Sequence, residues 1–347
     1  MKSLVGLSHQ ELMDVVAAAR QPAYRARQIA AWVYRRGARS WSEMTDLPLS
    51  LREVLSGEWR VGACELAHRT ESRDGVRKYL LALQDGQTIE SVYLPYADRV
   101  SVCVSSQVGC PAGCAFCATG LGGLARNLSA GEIADQVLCL QRDNPDRRIS
   151  HVVFMGMGEP LLNTDAVVAS LRLLAGEVGI SPRRMTVSTV GVAPGILRLA
   201  EEDLPVTLAL SLHAPDDALR SRLVPMGRKW RIAEVLDACR AYHQRTGRNL
   251  TFEYILLRDV NDSPEQAAAL ADLLEGLPGN VNLIPYNPVD AATEFAAPPP
   301  SRIRAFRDVL ERAGRPTTQR MQRGQPIDAA CGQLRRRVGE SLPAPVR

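Results

Sequence analysis

Apolar residues recur every three or four positions through 11–19 and again through 29–34, the spacing of one helical face, and predict short helices within the first 60 residues. Arg25, Arg27, Arg35, Arg36 and Arg39 give this region a basic edge. The pattern changes at Lys78. Alternating stretches rich in branched residues at 79–83 and 89–94 flank Asp85-Gly86, a pairing that favours a tight hairpin turn. Beyond it, strand-like runs alternate with helix-like ones: 101–106 with 132–140, 152–155 with 166–174, 186–190 with 195–200, 206–212 with 232–242, 250–257 with 264–274, and 282–286 with 302–310. Six such units predict an α/β fold built on a parallel sheet.

Periodicity alone does not choose between an open doubly wound sheet and a curved partial barrel. The polar residues narrow the choice. Gly156-Met157-Gly158-Glu159-Pro160, Ser188-Thr189, Ser211-Leu212-His213 and Asn287-Pro288 all fall at or just past the ends of successive strands. In a barrel those ends share one mouth, where active sites are built. Any one of these segments taken alone reads equally well as a helix cap or a turn.

The 347 residues are 46% apolar, 23% charged and 5% aromatic, which excludes a disordered, collagen-like or coiled-coil chain. The length suits two domains, or one large domain with an appendage. A net charge of +4 conceals an asymmetry: residues 301–347 hold eleven arginines against four acids, so the tail carries +7 and the rest −3. Such a tail suits a polyanionic partner or a solvated surface helix. Positions 100–125 carry no charge, but five glycines, Pro111 and four cysteines interrupt them. Neither a membrane span nor a signal segment is expected, and the protein is expected in the cytoplasm.

Eight cysteines in a reducing compartment direct attention to metal binding or catalysis rather than to structural disulfides. Cys110, Cys114 and Cys117 stand at spacings of four and three in a glycine-containing loop, able to fold around one soft metal centre. A structural zinc normally takes four protein ligands, whereas three thiolates leave a coordination position open. Cys103 could complete a zinc set, although it lies seven residues upstream inside a predicted strand. Inert buried cysteines and a structural zinc site remain open on spacing alone. Cys64, Cys139 and Cys239 belong to no motif, and the last two fall on predicted helices as small buried hydrophobes.

The three-cysteine motif resembles that of the radical S-adenosylmethionine (SAM) superfamily. The longer stretch Arg99-Val-Ser-Val-Cys103-Val-Ser-Ser-Gln-Val-Gly-Cys110, with Cys117-Ala-Thr-Gly and Arg126-Asn-Leu-Ser-Ala-Gly-Glu-Ile, is similar to the RlmN/Cfr family of RNA adenine methyltransferases. Gly156-Met-Gly-Glu-Pro-Leu, Ser188-Thr-Val-Gly, Asn282-Leu-Ile-Pro-Tyr-Asn287-Pro and Asp328-Ala-Ala-Cys331-Gly-Gln-Leu resemble the same family, and the likeness runs from about residue 24 to residue 334. It implies a partial (β/α)6 radical SAM barrel at 99–314. A helical accessory RNA-binding domain at 1–60, a β-hairpin extension at 61–98 and a C-terminal segment at 315–347 complete the expected organisation.

The resemblance also implies roles. Cys110, Cys114 and Cys117 would hold a [4Fe-4S] cluster whose unique iron binds SAM, while Gly158, Glu159, Ser188, Ser211, His213 and Asn287 match SAM-contacting positions, Glu159 facing the amino group. Cys331 would accept a methyl group from a first SAM. A radical derived from a second SAM would activate that S-methyl group for addition to an adenine carbon too electron-poor to attack SAM directly. Glu90 matches the proton acceptor, and Cys103 would resolve the covalent adduct through a transient disulfide with Cys331. The implied substrates are an adenine of 23S rRNA and the adenine beside the anticodon of tRNAs, and the implied electron donor is a flavodoxin or ferredoxin. A monomer making 2-methyladenine is expected. The rivals are a Cfr-like enzyme making 8-methyladenine and a non-catalytic zinc-binding RNA module using Cys103 with the other three cysteines.

Overall fold

The computed structural model describes residues 1–335. Its first element, β1 (Lys2–Ser3), pairs in parallel with β2 (Trp59–Arg60) and so closes a small helical unit. Between them lie α1 (His9–Ala18), α2 (Tyr24–Ala30) and α3 (Leu49–Ser56). The first begins at a capping box in which Ser8 and Glu11 satisfy each other's backbone donors. The chain then forms β3 (Glu65–Glu71), β4 (Arg77–Ala82), β5 (Thr88–Pro95) and β6 (Val100–Cys103), paired antiparallel in that order. Gly86, at φ +79°, makes the turn between β4 and β5.

A detached two-stranded ribbon follows, β7 (Gln107–Gly109) with β8 (Leu124–Asn127), carrying the cysteine loop and α4 (Ala118–Leu121) between its strands. The α/β units come next: α5 (Ala130–Asp143), β9 (His151–Phe154), α6 (Thr164–Leu173), β10 (Met185–Thr189), α7 (Ala193–Ala200) and β11 (Thr207–Ser211). After these come α8 (Asp217–Leu223), α9 (Ile232–Thr246), β12 (Leu250–Leu256), α10 (Pro264–Leu273), β13 (Gly279–Pro285), α11 (Pro300–Arg312) and β14 (Thr317–Gln319).

Ten of these strands form one sheet, in the order β14-β13-β12-β11-β10-β9-β6-β5-β4-β3, parallel from β6 to β14. The expected α/β units are present, and β14 adds a parallel strand that the sequence does not announce, because three polar residues carry no period. The antiparallel arm is continuous with the parallel array through the β5–β6 pairing. The strand expected over 101–106 stops at Cys103, since Gln107–Gly109 turns away to pair with β8. Leu208, Phe252, Tyr254, Leu283 and Phe306 are fully buried in the core that joins sheet and helices.

Candidate functional site

Side chains from β9 (Phe154), β10 (Ser188), β11 (Ser211), β12 (Glu253) and β13 (Ile284) line one cleft together with the cysteine loop, so the parallel sheet curls around a common mouth. Cys110, Cys114 and Cys117 all reach this cleft. The β7–β8 ribbon presents them: the Cys110 N–H donates to Gly123 O at 2.9 Å, and the N–H of Cys117 donates to Cys114 O at 3.1 Å. Burial pushes the Cys110 thiol up to about 12 and the Cys114 thiol well above its usual range. A buried thiol resists ionisation until a cation shares its site, as a thiolate-binding metal would.

Gly156, Gly158 and Glu159 line the same cleft. Gly158 has φ +108°, and a Cβ there would stand 2.7 Å from Ser106 Oγ, so only glycine lets the turn lie this close. The Glu159 N–H donates to Gln107 Oε1 at 2.8 Å. Its carboxylate accepts from the N–H of Leu161 at 3.0 Å and of Val190 at 2.8 Å. Burial raises its pKa to about 7 despite these bonds, the state of a carboxylate awaiting a cationic partner. Ser188 and Ser211 bring their hydroxyls within 3.3 Å of each other on neighbouring strands. His213 follows β11 and accepts the Ile255 N–H on Nδ1 at 3.1 Å, which places its proton on Nε2.

The tail brings the remaining chemistry back to the mouth. The Ala118 N–H donates to Gly332 O at 2.8 Å, Thr119 Oγ1 to Leu334 O, and Asn287 Nδ2 to Cys331 O at 3.1 Å. Cys331 therefore lines the same cleft as the three loop cysteines. It also lines an adjoining smaller cavity that contains Cys103. Both are free thiols here. Cys103 is buried in β6, and burial raises its thiol to about 12.

Glu90 is absent from the lining of either cavity. It lies in β5, 1% exposed, with Oε1 at 3.5 Å from Lys78 Nζ and Oε2 accepting the Arg335 N–H at 3.0 Å. Lys78 also donates to Asp328 O at 3.3 Å, so Glu90 is tied to the segment carrying Cys331.

The donor set fits an iron–sulfur cluster with one open vertex: three soft thiols face one cleft, and the neighbouring thiol of Cys331 arrives on a separate segment. Asn287 lines the adjoining Cys103 cavity rather than the cleft that holds the other expected SAM-contacting residues, and its Oδ1 is buried with no hydrogen-bond partner among the described residues. Cys103 falls in the second cavity, and no group of three or more His, Cys, Asp or Glu among the described residues is gathered as one metal ion requires. The placement of Cys103 in a different cavity from the other three disfavours the four-cysteine zinc arrangement. A cubane, whose cysteines bind different irons, spreads them more widely than a single ion does.

Sequence reasoning missed Glu253 and Arg320. Both line the cleft. An acid in the apolar run of β12 was a usable signal: Glu253 is 4% exposed and its Oε2 accepts from Asn282 Nδ2 at 2.8 Å. Arg320 had no such signal among the eleven arginines of residues 301–347.

Two family models match the chain: the ribosomal RNA large subunit methyltransferase N-terminal domain at residues 2–61 and the radical SAM superfamily at residues 104–271. A probable dual-specificity RNA methyltransferase RlmN from Thermus thermophilus is 51% identical over 92% of this chain and 91% of its own length. One of the same description from Gloeobacter violaceus is 50% identical over 99% of both chains. The crystal structure of a radical SAM methyltransferase from Sphaerobacter thermophilus superposes with a TM-score of 0.94 at 47% identity, covering 96% of this chain and 99% of that one.

Proposed function

Since the chain belongs to the RlmN family of radical SAM RNA methyltransferases, we propose that it methylates C2 of an adenine in 23S rRNA and of the adenine beside the anticodon in tRNAs. The observation that carries the reading is the return of the tail: Cys331, held through its carbonyl by Asn287, lines the cleft of Cys110, Cys114 and Cys117. The family's cofactors are a [4Fe-4S] cluster and SAM, which when bound supply a methyl cation equivalent and a hydrogen-abstracting radical.

Cys110, Cys114 and Cys117 hold the cluster, and Gly158, Glu159, Ser188, Ser211, His213 and Asn287 hold SAM. The Glu159 carboxylate receives the amino group, and the backbone at Gly158 gives it close approach. Cys331 accepts a methyl group on Sγ and later carries the carbon to the adenine ring, so that two SAM are consumed per turnover. Glu90 takes the ring proton from beneath the tail. The Cys103 thiolate attacks the Cys331 sulfur from the second cavity, releasing methylated RNA and leaving a disulfide for reduction. Cys331 lining both cavities supports this division of labour.

The relatives' RlmN description favours C2 over C8 as the methylated carbon. The helical unit and the arginine-rich tail supply the phosphate contacts, the working unit is a monomer, and a flavodoxin or ferredoxin supplies electrons. Among the described residues no helix is long and apolar enough to cross a membrane, in keeping with a cytoplasmic enzyme.

The test is reconstitution with SAM bearing a deuterated methyl group and rRNA fragments. Digested RNA is compared with 2-methyl- and 8-methyladenosine standards by mass spectrometry. The reading expects labelled 2-methyladenosine from the parent enzyme and labelled Cys331 accumulating in Cys103→Ala. An 8-methyl product would move the assignment to the Cfr-like branch, and an unlabelled Cys331 would overturn the methyl-acceptor role.

A further inference from the structure

The chain packs differently on the two ends of the cysteine loop. At one end lies the returning tail: Ala118 and Thr119 donate to Gly332 O and Leu334 O, so Cys331 arrives beside residues 117–119. At the other end the loop rests on the segment that follows β11. The Ala115 N–H donates at 2.9 Å to the carbonyl of Leu223, the last residue of α8, and a Cβ on Gly113 would lie 3.6 Å from Pro225 Cγ. Cys110, Ala112, Cys114 and Phe116 are buried there with Leu223 and Val224. The intervening Pro111, Gly113 and Ala115 stay exposed or half-buried. The outer edge of the loop therefore carries only small uncharged residues over the thiols.

Positive charge that the chain does not cancel borders this edge. Arg222 precedes Leu223, and Arg228, Lys229 and Arg231 lie at and just past the short helical turn Pro225–Arg228; all four are exposed. Among the described residues none of the four pairs with a carboxylate. The two acids that open α8 serve the backbone instead: Asp216 accepts the Leu219 N–H at 2.8 Å, and Asp217 accepts the Ile232 N–H at 2.9 Å. Lys229 lies 4.6 Å over the Trp230 ring, a contact that orients the ammonium without neutralising it. By contrast Arg126, Arg172, Arg198 and Arg302 each hold a carboxylate. A cluster of unpaired cations attracts and steers a negatively charged partner.

We propose that Arg222, Arg228, Lys229 and Arg231, around the outer edge of the cysteine loop, form the docking face for an acidic one-electron carrier protein. This rests on the reading of Cys110, Cys114 and Cys117 as cluster ligands. The reaction consumes electrons that reach the cluster from outside the chain. In each transfer the carrier's reduced centre loses one electron and the cluster gains it, with no bond made or broken. A carrier seated here meets the loop where only Pro111, Gly113 and Ala115 cover it. The RNA has to reach Cys331, on the tail at the other end of the loop, so the carrier and the substrate use different faces.

The experiment titrates an acidic flavodoxin, and in parallel an acidic ferredoxin, into cluster-loaded protein by isothermal calorimetry. Compared with the parent are Arg228→Glu/Lys229→Glu/Arg231→Glu, the milder Arg228→Gln/Arg231→Gln, and Arg183→Glu/Arg184→Glu, which reverses two exposed charges just ahead of β10. The triple reversal is expected to weaken carrier binding about tenfold or more, the glutamine pair about threefold, and the Arg183/Arg184 pair less than about twofold. Raising ionic strength from about 0.05 to about 0.5 M should weaken the parent complex about tenfold and the triple variant's less than about threefold. Bleaching of the cluster by the reduced carrier should slow in the same order, while bleaching by methyl viologen radical, which needs no docking, should not slow. Affinity for tRNA, read by filter binding, should hold within about twofold. Iron content and the unfolding transition identify the variants that fold. Unchanged carrier affinity in the folded triple variant, or a parent that binds neither carrier, would overturn the proposal. A loss of tRNA affinity as large as the loss for the carrier would overturn it as well and give the face to RNA. A parent that assembles no iron and sulfide on reconstitution would instead sink the cluster reading itself.

Discussion

His213 shows how a single residue at the mouth is held in one chemical state. Its φ of +63° lies in the left-handed region, its Nδ1 is occupied by the Ile255 N–H, and its ring meets Phe116 edge-on with centroids 5.0 Å apart. Burial, then Arg220, pushes its pKa down to about 3. The unfolded chain therefore binds a proton that the folded chain refuses at any pH between about 3 and the ordinary 6.5 of histidine. Stability rises with pH across that window and is lost on acidification. His213→Asn tolerates positive φ, retains an acceptor and removes the titration. Between pH 6 and 4, denaturant unfolding should show the parent losing up to about 1.4 kcal/mol per pH unit more than the variant. Parallel pH profiles would mean that the folded ring protonates freely. At this scale the three loop cysteines were readable from sequence, because soft-metal ligation demands a particular residue type at a particular spacing. Arg320 was not, since its importance comes from what surrounds it, whereas Glu253 offered the overlooked signal of an acid in an apolar strand.

Among the elements, the β7–β8 ribbon decides where the cysteine loop points. Its pairing shifts register at Val108/Gly109, where Gly109 adopts φ +80° and a Cβ would stand 1.9 Å from Gly123 O. No rotamer relieves a clash with backbone, so Gly109→Ala has to break either the positive φ or the Cys110–Gly123 hydrogen bond that closes the loop. Expected is a loss of about 2 kcal/mol or more in apoprotein stability and, after reconstitution, less than about half the parent iron per chain. Iron and unfolding assays check both, and full iron in the variant would show that the loop positions its cysteines without the ribbon. The ribbon escaped sequence reading because strands of three and four residues hold too few positions to display a period. Long amphipathic segments such as α5 and α9 were legible for the opposite reason.

Across the whole molecule, the helical unit is locked to the barrel through one buried carboxylate. Asp135 of α5 is fully buried and accepts the N–H groups of Ala63 at 2.6 Å and Cys64 at 2.7 Å, with Arg39 Nη1 at 2.7 Å. Beside it the backbones touch: a Cβ on Gly131 would stand 2.2 Å from Val5 O. Asp135→Ala leaves a half-buried guanidinium without its carboxylate partner and two amides without their acceptor, which should cost about 3 kcal/mol or more. It should also speed limited proteolysis between the helical unit and β3 while leaving the barrel's iron content intact. Unchanged proteolysis would place the lock elsewhere. Sequence by itself determined the α/β alternation, the turn between β4 and β5, and the motifs that mark the candidate site, since periodicity, turn residues and cysteine spacing are local properties of the chain. Only the tertiary structure decided that the antiparallel arm continues the parallel sheet and that a polar three-residue strand ends it. It alone brought Cys331 to a cleft more than 200 residues distant in sequence and set Arg320 in the wall beside it. Those outcomes depend on hydrogen bonds and packing between segments far apart, such as Asn287 to Cys331 O and Ala118 to Gly332 O, and no local pattern encodes them.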